Sequence, residues 1–400
     1  MSSEIIDAQI KRIYIFSFFW MFLVFIPIFV PFILAHDLSM RDVFTLQVVF
    51  SVTTLIFEVP SGYMSDLLGR KLTLLIGSIF TGLGYTWFYF SSQFSDFILF
   101  EILLGVAVSM ASGTDISLLY DWLKLKGKDQ RDEATHAIAN RQMALTFSEA
   151  TASILGGLLV TVSFQAVLSL QMITGWIPLL VVLSLKEPPY EKMAKDQHKE
   201  NFGKVFRHIF KEDPFLRIVF FNLMFWGLAT FLAVWTFQKH WLEAQIPLAS
   251  FGFLWALYNI VVGLVGKRVP HWEKKYGPKI LLLALSLLPI MGFLGLAVFS
   301  GWLGVIAGLS FQVSRGITQV ILKDALNWRT PSAFRATVNS ISSLFFRLGF
   351  ALLGPVVGWS IDLWGLSWAM WGLAVFFGLV FLIFMRPLIQ DSQSQNGNLS

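Results

Sequence analysis

Six ionisable residues lie inside long apolar runs and are the first candidates for chemistry: Glu58, Glu101, Asp115, Glu149, Arg315 and Arg347. A charge in hydrocarbon costs at least ~2.5–3.5 kcal/mol on insertion scales, so each such group needs a partner or a purpose. A guanidinium stays protonated and presents a planar fork of donors that suits a carboxylate or phosphate. Arg315 and Arg347 therefore read as binders of an anionic group. A carboxyl held away from water can act as a proton carrier, which makes Glu149, Asp115 and Glu101 candidates for proton coupling. Glu58 and Asp121 read mainly as structural. Covalent and metal chemistry find no footing. There is no cysteine, the 6 histidines are scattered, and no Gly-Lys-Ser/Thr phosphate loop is present. Neither an enzyme, nor a cofactor or metal, nor ATP drive is expected.

Membrane-spanning helices must hold these charges. Of the 400 residues 56% are hydrophobic and 14% charged, too apolar for a water-soluble globule. Apolar runs of about 20 residues recur, the length that crosses ~30 Å of hydrocarbon at about 1.5 Å per residue. Backbone groups in lipid must pair within their own segment, so the runs are helices, and they are too long for barrel strands. We place spans at 12–36, 42–65, 72–92, 96–123, 136–163, 166–186, 215–242, 249–268, 278–298, 301–326, 333–362 and 365–388, with no cleavable signal before the first. Glu149, Arg315 and Arg347 then fall near mid-membrane.

The polar ends sort by charge. Arg70, Lys71, Lys124, Lys126, Lys128, Arg131, Lys267, Arg268, Lys274, Lys275, Lys279, Arg329 and Arg335 fall on one side; Arg41 and Lys239 fall on the other. An excess of Lys and Arg marks cytoplasmic loops, so both termini are expected inside. The net charge of +5 is explained by topology, without nucleic acid. The long hydrophilic break, 187–214, reads as a cytoplasmic linker. Within it Phe202, Val205, Phe206, Ile209 and Phe210 share one helical face, as in an amphipathic helix on the inner leaflet. The polar tail, 389–400, reads as disordered. The flanking segments 1–186 and 215–388 then form two six-helix bundles.

Between the second and third spans lies Gly62-Tyr63-Met64-Ser65-Asp66-Leu67-Leu68-Gly69-Arg70-Lys71. This run resembles the loop of the major facilitator superfamily of secondary transporters, Gly-x-x-x-Asp-x-x-Gly-Arg-Lys/Arg, and the resemblance covers nearly the whole chain. It implies an all-α membrane protein with 12 transmembrane helices in two pseudo-symmetric bundles. It also implies that Asp66 and Arg70, with Gly62 and Gly69, form an inner gate, to which Asp121 adds a carboxylate within reach of Arg70. The two halves echo each other. A shift of 198 carries Phe147, Glu149 and Gly156 onto Phe345, Arg347 and Gly354; a shift of 203 carries Ser112, Gly113 and Asp121 onto Arg315, Gly316 and Asp324. A third echo, Gly358-x-x-x-Asp362-x-x-Gly365, repeats the loop's spacing at the other membrane face. Internal repeats of this kind accompany a midplane substrate site.

The expected function is transport of a small organic solute across a bacterial inner membrane by a monomer. It would proceed by alternating access, driven by protons, with an anionic group on the substrate. Protonation of Glu149 would free Arg347 for that group; a fixed Glu149–Arg347 ion pair is the structural alternative. Trp226, Tyr258, Asn222 and Asn259 are placed near the cavity as further substrate contacts. A multidrug proton antiporter is the alternative function. Two departures weaken it: Glu101 stands four residues before Gly105 where many exporters carry arginine, and Gly156-Gly157 replaces their Gly-Pro-rich motif. Ser112-Gly113-Thr114-Asp115 with Tyr120-Asp121 resembles a bacterial subgroup of the superfamily. A channel or receptor fits the repeats and the loop less well.

Overall fold

The computed structural model describes residues 3–125, 130–189, 207–330 and 335–390, and every regular element among them is helical. α1 (Ser3–Trp20) leads through a 3-10 turn (Ile26–Ile28) into the short α2 (Phe29–Leu34). Then come α3 (Met40–Leu68), α4 (Arg70–Phe90), α5 (Phe94–Ala111), α6 (Thr114–Lys124), α7 (Gln130–Leu159), α8 (Phe164–Gly175) and α9 (Ile177–Ser184). The second series is α10 (Pro214–Glu243), α11 (Leu248–Tyr276), α12 (Pro278–Val298), α13 (Gly301–Arg329), α14 (Arg335–Trp364) and α15 (Leu366–Val380), the last continuing through a π-helical segment at Phe381–Met385. The amphipathic helix expected over 202–211 falls mostly outside the described residues, as does nearly all of the tail.

Among the described residues, 10 helices are long and apolar enough to cross a membrane. The first and fifth expected spans take other forms. The first is broken: α1 stops at Trp20, and the chain resumes helix through a turn carrying Pro27, whose ring leaves no N–H to donate. The fifth is α7, 30 residues long but polar through its first half. The fourth span is split as well. α5 and α6 meet at Gly113, whose φ of +74° lies in the left-handed region that costs other residues roughly 1–2 kcal/mol.

The chain forms two compact units. Unit 1 comprises Met1–Leu38, Thr45–Met193 and Leu248–Ala256; unit 2 comprises Ser39–Phe44, Ala194–Pro247 and Leu257–Ser400. Thus α3 begins in unit 2 and continues in unit 1, while α11 begins in unit 1 and continues in unit 2. In unit 1, Ile6, Ile10, Ile13 and Phe16 of α1 recur every three or four residues and pack on Leu118, Leu119 and Trp122 of α6. Phe88 and Phe100 stack with ring centroids 4.1 Å apart. In unit 2, Phe293 packs between Phe311 (4.7 Å) and Phe377 (5.5 Å). Large apolar side chains such as Leu352, Trp368 and Val375 stay exposed, as expected of surfaces solvated by lipid.

Candidate functional site

The basic loop between α3 and α4 is a knot of charges within unit 1. Gly69 precedes α4 with φ +109°, a conformation other residues rarely adopt. The turn exposes the first N–H groups of α4, which lack intrahelical acceptors. Glu187, just past α9, satisfies two of them: its Oε1 accepts from Arg70 N–H at 2.8 Å and its Oε2 from Lys71 N–H at 2.7 Å. A Cβ at Gly69 would lie 3.1 Å from that carboxylate, a tight contact, while the positive φ is what calls for glycine. The Arg70 side chain turns to Asp121 of α6, donating from Nε to Oδ2. Asp66 stands further off, 4.0 Å from the guanidinium, and Lys124 approaches Asp121 at 3.8 Å. An added Cβ at Gly62 meets nothing within 4 Å, so its small size serves no contact here.

Deeper in unit 1, two buried carboxyls have different partners. Asp115 opens α6 immediately after the break at Gly113. Its Oδ1 accepts from Ile116 N–H at 2.8 Å, and its Oδ2 receives both Nε (2.8 Å) and Nη2 of Arg141 on α7. The pair is well enclosed, with side-chain exposures of 7% for Asp115 and 14% for Arg141. Glu101 of α5 is also buried, and Gln47 of α3 donates to its Oε1 at 2.9 Å. Thr53 lies against Gly105 one turn away, where an added Cβ would come within 2.7 Å; this close approach lets α3 deliver Gln47 to α5. Glu149 lies half-buried on α7 of unit 1, and Arg347 half-buried on α14 of unit 2.

Unit 2 contains a cavity of about 410 Å³ between α10, α13 and α14. α13 supplies Arg315, Gln319 and Lys323, four residues apart and therefore on one helical face. α14 supplies Asn339, Ser342 and Ser343, while Phe231 and Phe346 add an aromatic wall, their rings 5.4 Å apart. The described residues that line it include no acid. Among the expected substrate contacts, Arg315 is the one that lines this cavity. Asn222 instead donates to the carbonyls of Ile218 (2.9 Å) and Phe384 (2.8 Å) and accepts from Trp226 Nε1–H (3.0 Å), tying α10 to the segment after α15. Tyr258 donates to the Val305 carbonyl at 2.7 Å and ties α11 to α13. Asn259, half-buried on α11, is not among the cavity residues.

Three polar residues with clear positions here are missing from the sequence-based candidates: Arg141, Glu187 and Lys323. The internal repeat held a signal for the first. The shift of 198 carries Arg141 onto Asn339, and the shift of 203 carries Asp115 onto Thr318, so the ion pair of unit 1 corresponds to polar lining of the cavity in unit 2.

Long apolar helices, buried charges joined in pairs and a polar cavity inside a helical unit mark a multi-pass membrane protein. The chain belongs to the major facilitator superfamily, whose family model matches residues 13–329. It is therefore a secondary transporter and not an enzyme. An uncharacterised MFS-type transporter of Bacillus subtilis (strain 168), YxaM, is 25% identical over 385 residues, spanning 92% of this chain and 93% of that one. The fold is shared with the nucleoside transporter NupG (TM-score 0.77, 15% identity, 94% of this chain and 98% of that chain). It is likewise shared with a bacterial homologue of the lysosomal transporter Spinster in an inward-facing, unoccupied conformation (TM-score 0.77, 14% identity, 98% of each chain).

Proposed function

We propose that this transporter moves a small organic anion across the bacterial cytoplasmic membrane by proton-coupled alternating access. One observation carries the reading. The cavity of unit 2 sets two cations, Arg315 and Lys323, on one helical face among amide and hydroxyl groups. An anion entering it exchanges water for charge-assisted donors, while Phe231 and Phe346 accept an apolar body. Arg347 is a second candidate anion binder.

Proton coupling is assigned to the acids of unit 1. Protonation of Asp115 removes the charge that holds Arg141, so the pair opens and closes with proton occupancy. Glu101, with Gln47 as its neutral donor, and Glu149 are the other carriers. Gly62, Asp66, Gly69, Arg70 and Asp121 form the inner gate, and the excess of Lys and Arg on that side supports both termini lying in the cytoplasm.

A thermal-shift screen of purified protein against carboxylates, phosphates and hydrophobic cations tests the substrate class. An anion should raise the melting temperature of wild type but not of Arg315→Ala, with Glu149→Gln still responding. Stabilisation by cations alone, dependent on Glu149 and indifferent to Arg315, would overturn the anion reading in favour of a multidrug antiporter.

A further inference from the structure

The loop-like sequence Gly358-x-x-x-Asp362-x-x-Gly365 at the end of α14 has found no role so far. In unit 2 it lies against the start of α3. A helix begins with four N–H groups that lack intrahelical acceptors. α3 satisfies two of these positions from its own sequence: Asp42 accepts from Ser39 N–H at 2.9 Å, and Ser39 Oγ accepts from Asp42 N–H at 3.2 Å. The other two go elsewhere. Met40 N–H donates to Asp362 Oδ1 at 3.0 Å and Arg41 N–H to Asp362 Oδ2 at 2.8 Å, across more than 320 residues of sequence. One carboxylate thus takes both remaining donors, in the charge-assisted arrangement that favours an anion at a helix start.

The helix carrying Asp362 is shaped for this docking. A Cβ at Gly358 would come within 2.7 Å of Arg41 Cα and the Met40 carbonyl oxygen. One turn earlier Gly354 faces Phe44, whose ring centroid lies 6.1 Å from that of Phe350. The contact is also one that can open. Asp362 is exposed and lies at the end of α14 opposite the basic loops, so water can take over both N–H groups and the carboxylate on release. A permanently required cap would gain from burial. A cap at a wet boundary suits a contact that forms and breaks.

We infer that Asp362 is a gating residue: by capping α3 it holds closed the outer side, the face opposite the basic loops, and it lets go when that side opens. Glu187 caps α4 at the inner side in the same chemical fashion, yet it joins elements that are close in unit 1. Asp362 joins the first residues of α3 to α14, although the rest of α3 belongs to unit 1. The inference rests on the transport activity of the family and not on the substrate being an anion, so it can fail or hold independently of that reading.

The absence of native cysteine makes a direct test simple. Single cysteines are placed by Met40→Cys, buried in the docked contact, and by Ser343→Cys, half-buried in the cavity. Each is labelled with a membrane-impermeant maleimide from the outside of cells and from the inside of inverted vesicles, with and without Asp362→Ala. Loss of the cap should raise outside labelling of both cysteines by roughly tenfold, the size of a modest shift between two states, and lower inside labelling of Ser343→Cys. Asp362→Asn, which keeps one acceptor oxygen, should fall between. Unchanged outside rates would overturn the inference. So would a rise confined to Met40→Cys, or a rise at Ser343→Cys from both sides at once, because local loosening opens no particular face.

Discussion

Asp115 and Arg141 make the most consequential contact at the scale of single residues. Removing one member of a buried pair strands the other, typically at a cost of about 3–5 kcal/mol, whereas neutralising both costs far less. Arg141→Ala should therefore lower the melting temperature sharply, and Asp115→Asn combined with Arg141→Gln should recover most of the loss. Additive effects in that double-mutant cycle would show that the two do not interact. For function the pair gives a different signature. With a transported anion in hand, Asp115→Asn should retain exchange between labelled and unlabelled substrate while losing accumulation driven by a proton gradient. Equal loss of both activities would remove Asp115 from the coupling role. Asp115 was visible in the sequence as a charge in an apolar run. Its partner was not, because Arg141 falls near the start of the expected span 136–163, where a basic residue reads as an ordinary topological marker.

Among the elements, the break between α5 and α6 and the crossing of α3 with α5 separate two ways in which glycine is needed. An added Cβ at Gly113 meets nothing within 4 Å, so Gly113→Ala should lose only backbone strain, roughly 1–2 kcal/mol. At Gly105 the Cβ would strike Thr53, and Gly105→Ala should also displace Gln47 from Glu101. Coupled transport would suffer more than stability at that position. Equal transport defects in matched melting experiments would count against it. Sequence patterning revealed how deep each residue sits along its helix, since span ends are marked by charge and proline. It did not reveal which way each residue faces. Lipid and protein interior are both apolar, so no periodicity distinguishes Trp226 and Tyr258, which turn into packing, from Phe231 and Phe346, which face the cavity.

At the level of the whole molecule, the repeat organises the chemistry unequally. Unit 1 holds paired acids where unit 2 holds a cavity lined by Arg315 and Lys323, so the proposed function assigns proton handling to one half of the repeat and substrate handling to the other. Lys323→Ala should weaken binding of an anion severalfold and leave proton-driven steps intact, whereas Asp115→Asn should do the reverse; isothermal titration and pH-jump flux measurements separate the two. The all-helical membrane fold of the family was legible from composition and from the loop at Gly62–Lys71. The contacts of Glu187 and Asp362 were not, because their acceptors serve backbone N–H groups 117 and more than 320 residues away, and backbone donors leave no mark in a sequence.

The carboxylate of Glu187 also has a mechanical meaning. Glu187, just past the end of α9, is fastened to the start of α4 by two short hydrogen bonds. Because Arg70 belongs to the gate loop itself, a pull on Glu187 acts directly on the turn at Gly69. Glu187→Ala would cut that link, and a displacement past the end of α9 would no longer reach the turn at Gly69 through these bonds.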